Sequence, residues 1–144
     1  IAGEYYGDGE KYENMAKELG VYDNIIWHTR YIADKDVSLY FSAADLIVQP
    51  YKTATQSGVT QIAYNFSLPM LVTNVGGLPE IVPDGVVGLV CEPTVDGILQ
   101  GLQRIYADGV LSQLKANFAT ERKRFSWSAM CDKLLEVYEM SRKA

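Results

Sequence analysis

Two short loops in this sequence have the residue types to hold an anion through the backbone. Thr55-Gln56-Ser57-Gly58 is small and polar and opens onto a segment of helical period. A helix N-terminus presents free N–H groups and the positive end of the helix dipole, which together favour a phosphate. Gly58 would let such a group approach closely, and Ser57 or Thr55 could donate a hydroxyl hydrogen bond. The plainer reading, that Ser57 only caps the helix, stands beside it. Gly76-Gly77-Leu78 follows an apolar run, and paired glycines there suit either close contact with a ligand or a tight turn. Glu80 fits a helix-end role against the dipole better than a catalytic one.

A third loop begins at His28, the only histidine, so neither a histidine triad nor a multi-histidine metal site can be assembled from this chain. Arg30 and Tyr31 follow and could touch a base or phosphate, although a solvated arginine is the ordinary alternative. The acidic residues are scattered, and no pair has acid/base or metal spacing, so no metal is expected. Glu121, Arg122, Lys123 and Arg124 read as a solvated helix face, and Trp127 as an anchor for the last helix.

These loops are positioned by alternating strands and helices. Ile1-Ala2-Gly3 reads as the end of a buried strand whose earlier half lies upstream, so the chain is expected to be part of a longer protein. Tyr12, Met15, Ala16 and Leu19 recur at helical spacing up to Gly20. Ile25-Ile26-Trp27 reads as a strand, and Asp34 as the N-cap of a helix carrying Val37, Tyr40, Phe41 and Ala44. Asp45 to Gln49 is the next strand, and Val59, Ile62, Ala63 and Phe66 mark the following helix. Met70 to Thr73 and Gly88 to Cys91 are continuous apolar strands of the kind covered on both faces. Pro79 suits the first turn of a short helix between them.

Beyond Pro93 three helices are expected, with stripes Val95, Ile98, Leu99, Leu102, Tyr106, then Leu111, Leu114, Phe118, then Met130, Leu134, Val137, Tyr138. The fold class is α/β: one domain over residues 1–144, a doubly wound Rossmann-like parallel sheet with a helical C-terminal tail. In such sheets ligands bind beyond the carboxyl ends of the strands. That selects the loops His28 to Ala33, Tyr51 to Ser57 and Asn74 to Leu78.

Bulk composition narrows the classes. The residues are 48% hydrophobic and 22% charged, ordinary for a globular domain, and the net charge of −5 opposes nucleic-acid binding. No apolar run approaches the ~20 residues that span a bilayer. Cys91 and Cys131 have no metal-ligand spacing and suit a reducing, cytoplasmic setting.

Three strings, in this order and spacing, resemble the carboxy-terminal domain of family 4 glycosyltransferases, which have the GT-B architecture. They are Ser42 to Pro50, Pro69 to Glu80 and Asp84 to Val90. The Phe125-Ser126-Trp127-Ser128 start of the last helix is similar to the family's tail, so residues 126–144 are expected to pack toward an amino-terminal domain. The resemblance implies transfer of a sugar from a nucleotide-sugar donor, such as a UDP- or GDP-sugar, with retained anomeric configuration. It implies no cofactor, and a glycan or lipid-linked acceptor held by the amino-terminal domain, through which a membrane face could also be met. The donor diphosphate would lie against Thr55 to Gly58, its sugar near Gly76, Gly77 and Leu78, and its nucleoside near His28, Arg30, Tyr31 and Ile32.

The sequence departs from the family in two ways. Counting back from Pro69, the positions of two customary glutamates are Ala54 and Ile62, and Gln56 and Gln61 nearby cannot replace a carboxylate's charge. The first βα unit, with its diphosphate-gripping cations, is also missing upstream of Ile1, which would leave a hole in mid-sheet. The chain alone is therefore expected to be inactive. A non-catalytic nucleotide-sugar-binding module and a GT-B sugar-nucleotide epimerase are the alternatives. A dinucleotide site is disfavoured, because Gly3-Glu4-Tyr5-Tyr6-Gly7-Asp8-Gly9 is not a true Gly-x-Gly-x-x-Gly turn.

Overall fold

A computed structural model describes residues 1–142, which fall into two compact units, residues 1–43 and the described residues from 44 onward. Lys143 and Ala144, the last residues of the expected tail, lie outside the described residues.

The first unit holds helix α1 (Glu10–Glu18), a 3-10 turn (Tyr22–Asn24) and helix α2 (Asp34–Ala43). Helix α1 ends where Gly20 takes a left-handed φ of +68°. The amide of Val21 then bonds the Ala16 carbonyl at 2.9 Å and that of Gly20 bonds Lys17 at 3.0 Å, a Schellman closure. The expected apolar stripe is only partly internal: Ala16 is buried, whereas Tyr12, Met15 and Leu19 are exposed. Ile25-Ile26-Trp27 does not form a ladder. The pairing is a single parallel bridge between Ala2 and His28, in which the His28 amide donates to the Ile1 carbonyl at 2.9 Å and the Gly3 amide to the His28 carbonyl at 3.0 Å. Asp34 is the first residue of α2 rather than its cap, and Val37, Tyr40 and Phe41 are half-buried along one face.

In the second unit three parallel strands, β1 (Ile47–Gln49), β2 (Met70–Thr73) and β3 (Gly88–Cys91), lie in the order β1-β2-β3. Strand β1 is two residues shorter than expected at its start, and β2 and β3 begin and end where the apolar runs do. Register places Val48, Leu71 and Leu89 side by side, and Gln49, Val72 and Val90 on the opposite face. The first face carries a core of Leu71, Leu89, Cys91, Ile105 and Leu114, with Ile98 and Leu102 packed against it. These residues come from β2, β3, helix α5 (Val95–Ile105) and helix α6 (Val110–Glu121). Helix α5 starts at Thr94, whose hydroxyl accepts the Gly97 amide at 3.0 Å. It lies so close to the sheet that a β-carbon on Gly101 would fall 2.6 Å from a Leu71 methyl. Val95, Leu99 and Tyr106 of the expected stripe are exposed instead.

Helix α3 (Gly58–Phe66) ends at Ser67, which adopts a left-handed φ of 54° without being glycine. The Arg122 guanidinium donates to the Ser67 hydroxyl at 2.5 Å. Tyr64 on α3 is buried, donates to the Ile81 carbonyl at 2.7 Å, and meets Phe118 and Phe125 edge-on at 5.3 and 4.7 Å. These contacts fasten the 3-10 turn Arg122–Phe125 before helix α7 (Trp127–Ser141) begins. Ser126 caps α7 through the Ala129 amide, yet none of its residues is buried. Trp127, expected to anchor that helix, is 80% exposed. The architecture is therefore α/β, a three-stranded parallel sheet with a helical C-terminal tail.

Candidate functional site

The loop after β1 is tied to the end of β2. The buried Thr73 hydroxyl donates to the Tyr51 carbonyl at 2.6 Å. That bond sets the direction in which residues 51–57 leave the sheet. Ser57 then stands at the N-cap of α3 in extended backbone (φ −139°, ψ 121°), but its side chain makes no capping bond. Its hydroxyl lies 3.5 Å from the Tyr51 hydroxyl instead, and its carbonyl accepts from the buried Thr60 hydroxyl at 2.5 Å. The helix start is thus left without a side-chain cap, the condition under which its first N–H groups can serve a ligand. Gly58 is exposed, and a β-carbon built there would have open space around it. Thr55 and Gln56 are exposed beside it, and Ser57 is buried.

The glycine pair of the second loop has a definite structural use. Gly76 takes φ +52°, and a β-carbon on it would fall 1.7 Å from the Ala54 carbonyl oxygen. The Gly77 amide donates to the Thr55 carbonyl at 3.1 Å. The close approach that demands glycine is therefore made to the first loop, and the two loops interlock at the carboxyl ends of β1 and β2. Leu78 is fully buried, so its side chain belongs to the core. Glu80 sits in the first turn of the short helix α4 (Leu78–Ile81), the helix-end place expected of it.

His28 and Arg30 belong to the first unit. His28 is half-buried, with Nδ1 3.1 Å from the Tyr40 hydroxyl and the two rings edge-on at 5.3 Å. With Arg30, Asp36, Tyr40 and Leu39 it lines a cavity of about 560 Å³. Tyr31 is exposed and Ile32 half-buried, and neither lines that cavity.

The positions customary for glutamate are structural here. The Ala54 carbonyl lies against Gly76, where it leaves no room for a β-carbon, and Ile62 is half-buried on α3. Gln61 lines clefts with Phe125 and Trp127, on the side of α3 that faces the tail. No group of three or more His, Cys, Asp or Glu able to hold a metal occurs among the described residues.

Sequence reading missed two contributors, Thr73 and Gln49. Thr73 acts through a buried hydroxyl on the carbonyl of Tyr51, a bond that no spacing marks. Gln49 did leave a signal, a lone amide ending the apolar run Leu46-Ile47-Val48. It is only 3% exposed, and neither polar atom of its amide has a hydrogen-bond partner.

A parallel α/β sheet whose loops interlock at its carboxyl edge has the form in which ligands are bound beyond the strand ends. A profile of the family described as Glycosyl transferases group 1 matches residues 1–108. The D-inositol 3-phosphate glycosyltransferase of Mycolicibacterium smegmatis is 32% identical over 129 residues, covering 86% of this chain. That of Rhodococcus jostii is 29% identical over 129 residues, covering 88%. The chain belongs to the group 1 glycosyltransferases, and corresponds to the carboxy-terminal domain of their GT-B architecture. It spans 28% of the length of each of those two relatives.

Among solved structures, sucrose-phosphate synthase from Thermosynechococcus elongatus superposes with a TM-score of 0.76 at 22% identity, covering 98% of this chain and 37% of that one. Anabaena Alr3699/HepE, solved in complex with UDP, superposes with a TM-score of 0.78 at 18% identity, covering 96% of this chain and 40% of that one. At these identities the likeness is one of fold. No described helix is long and apolar enough to cross a membrane.

Proposed function

We propose that this chain is the donor-binding part of a retaining glycosyltransferase that moves a sugar from a nucleotide diphosphate to a glycan or lipid-linked acceptor. One observation carries the reading: the α3 start is uncapped and open at Gly58, while its entry loop is held by Gly76 and Gly77. Negative charge grows on the departing nucleoside diphosphate as the glycosidic bond breaks. Fixed N–H dipoles of Gly58 and Val59 aimed at that charge would stabilise it without reorganising. The donor sugar would lie by Gly76 to Leu78, next to the α3 start in the same unit. HepE has been solved with UDP and with UDP-glucose, which favours a uridine donor as the first to test.

In this reading the exposed apolar residues of α7, among them Trp127, Met130 and Leu134, pack against an amino-terminal domain that holds the acceptor. Nucleotide-sugar supply and free thiols suit the cytoplasm. A second reading, a nucleotide-sugar-binding module without transfer, is favoured by Ala54 and Ile62 standing where carboxylates are customary. The test is titration of the full-length protein with UDP-, GDP- and ADP-glucose, followed by donor turnover with acceptor mixtures. Binding of one nucleotide with turnover supports the transferase. Binding with no transfer supports the module, and no binding of any of the three defeats both.

A further inference from the structure

An Asp-Gly step is where a backbone most readily isomerises, because glycine has no side chain to keep its amide nitrogen from the preceding carboxyl group. The chain has four such steps, Asp8-Gly9, Asp84-Gly85, Asp96-Gly97 and Asp108-Gly109. Their glycine amides are not equally free. The Gly85 amide donates to the Gly88 carbonyl at 2.8 Å, and the Gly97 amide to the Thr94 hydroxyl at 3.0 Å. Asp84 is itself engaged, accepting from the Val90 amide at 2.8 Å and facing Arg104 at 3.8 Å. The Gly9 and Gly109 amides donate to no group among the described residues. Gly9 is nonetheless crowded, since a β-carbon there would fall 2.1 Å from the Tyr5 ring. At Gly109 a β-carbon would meet nothing within 4 Å, and Asp108 and Gly109 are both exposed. The Asp108 carboxyl has no partner among the described residues.

We propose that Asp108 is a site of isoaspartate formation, singled out by the fold from four chemically equivalent steps. The Gly109 nitrogen bonds the Asp108 Cγ, and the carboxyl hydroxyl leaves with the amide proton as water, closing a succinimide ring. Water then adds at the main-chain carbonyl carbon of Asp108, and the bond from that carbon to the Gly109 nitrogen breaks. The chain now runs through the side-chain carboxyl, with no atom gained or lost overall. A committed amide must first break its hydrogen bond, which holds back Gly85 and Gly97. The isomer puts one extra carbon into the backbone between Ile105 and Leu114, both buried in one core, and so strains the join of α5 and α6. It also leaves a free carboxyl on the Asp108 α-carbon, the group that an isoaspartyl carboxyl methyltransferase esterifies. A repair enzyme of that class is the partner the site implies. The inference does not rest on the donor reading.

The experiment ages the full-length protein at neutral pH and body temperature, one sample folded and one in urea. Both are then labelled with isoaspartyl methyltransferase and radioactive S-adenosylmethionine, and the labelled peptides are identified by mass spectrometry. In the folded protein the Asp108 peptide should carry roughly fivefold more label than the Asp84 or Asp96 peptide, the factor that one ordinary hydrogen bond contributes. The Asp8 peptide should also fall below it, and in urea the four should converge. Asp108→Glu, at an exposed and unpaired position, should erase the label from that peptide, because the larger ring closes far more slowly. Label led by Asp8, Asp84 or Asp96 in the folded protein, the same ratios folded and in urea, or no label at all would overturn the proposal.

Discussion

The Gly77 amide donates to the Thr55 carbonyl at 3.1 Å, and one residue earlier Gly76 leaves no space for a β-carbon against Ala54. This pair of contacts turns two independent loops into one rigid edge beside the start of α3. Mutations along that edge separate into those that disturb the scaffold and those that disturb only the ligand.

Gly76→Ala adds a methyl that meets backbone, in a left-handed conformation that alanine resists. It should lower unfolding free energy by about 2–4 kcal/mol, measured by urea denaturation of the full-length protein. A variant as stable as the parent would show that the interlock is not made.

Gly58→Val is the complementary change. Open space around that position predicts little loss of stability, while the branched side chain blocks approach to the α3 start. UDP affinity should fall roughly tenfold, in line with the 1–2 kcal/mol a partly buried helix terminus contributes. Unchanged affinity would remove α3 from the donor site.

Thr73→Val keeps the shape of a buried side chain and deletes the hydroxyl that bonds the Tyr51 carbonyl. A loss of about 1–2 kcal/mol in stability is expected, together with weaker UDP binding because the entry loop is released. Calorimetry on one sample reads both.

Gln49→Leu removes a buried amide that has no partner. Stability should rise by about 1 kcal/mol. A fall instead would reveal a partner that the amide finds in the full-length protein.

Tyr64 tests the joint between α3 and the tail. Burial, with a smaller push from Glu121, raises its pKa to about 12 from the model-peptide value of 10.0. Below pH 10 the phenol is neutral in both folded and unfolded states, and its contribution is complete. Between about pH 10 and 12 the unfolded chain ionises first, so stability should fall over that window. Tyr64→Phe should show a shallower decline there, and parallel curves for the two proteins would contradict the burial.

Much of this was legible in residue order. Continuous apolar runs located β2 and β3, Gly20 located the end of α1, and the polar loop before Val59 located the start of α3. Ile25-Ile26-Trp27 failed as a strand because a strand exists only with a partner, and apolar character does not report one. Tyr12, Met15, Leu19 and most of the α7 stripe were apolar at helical spacing yet exposed, because periodicity names a face without naming what covers it.

What the sequence determined by itself was local: φ-permissive glycines, capping residues and apolar periods, each set by the chemistry of a few neighbouring residues. The tertiary structure alone decided that Gly76 serves Ala54, that Ser57 leaves α3 uncapped, and that Thr73 holds Tyr51. Those are contacts between segments apart in sequence. Their energies depend on how the chain packs them together, which no single segment encodes.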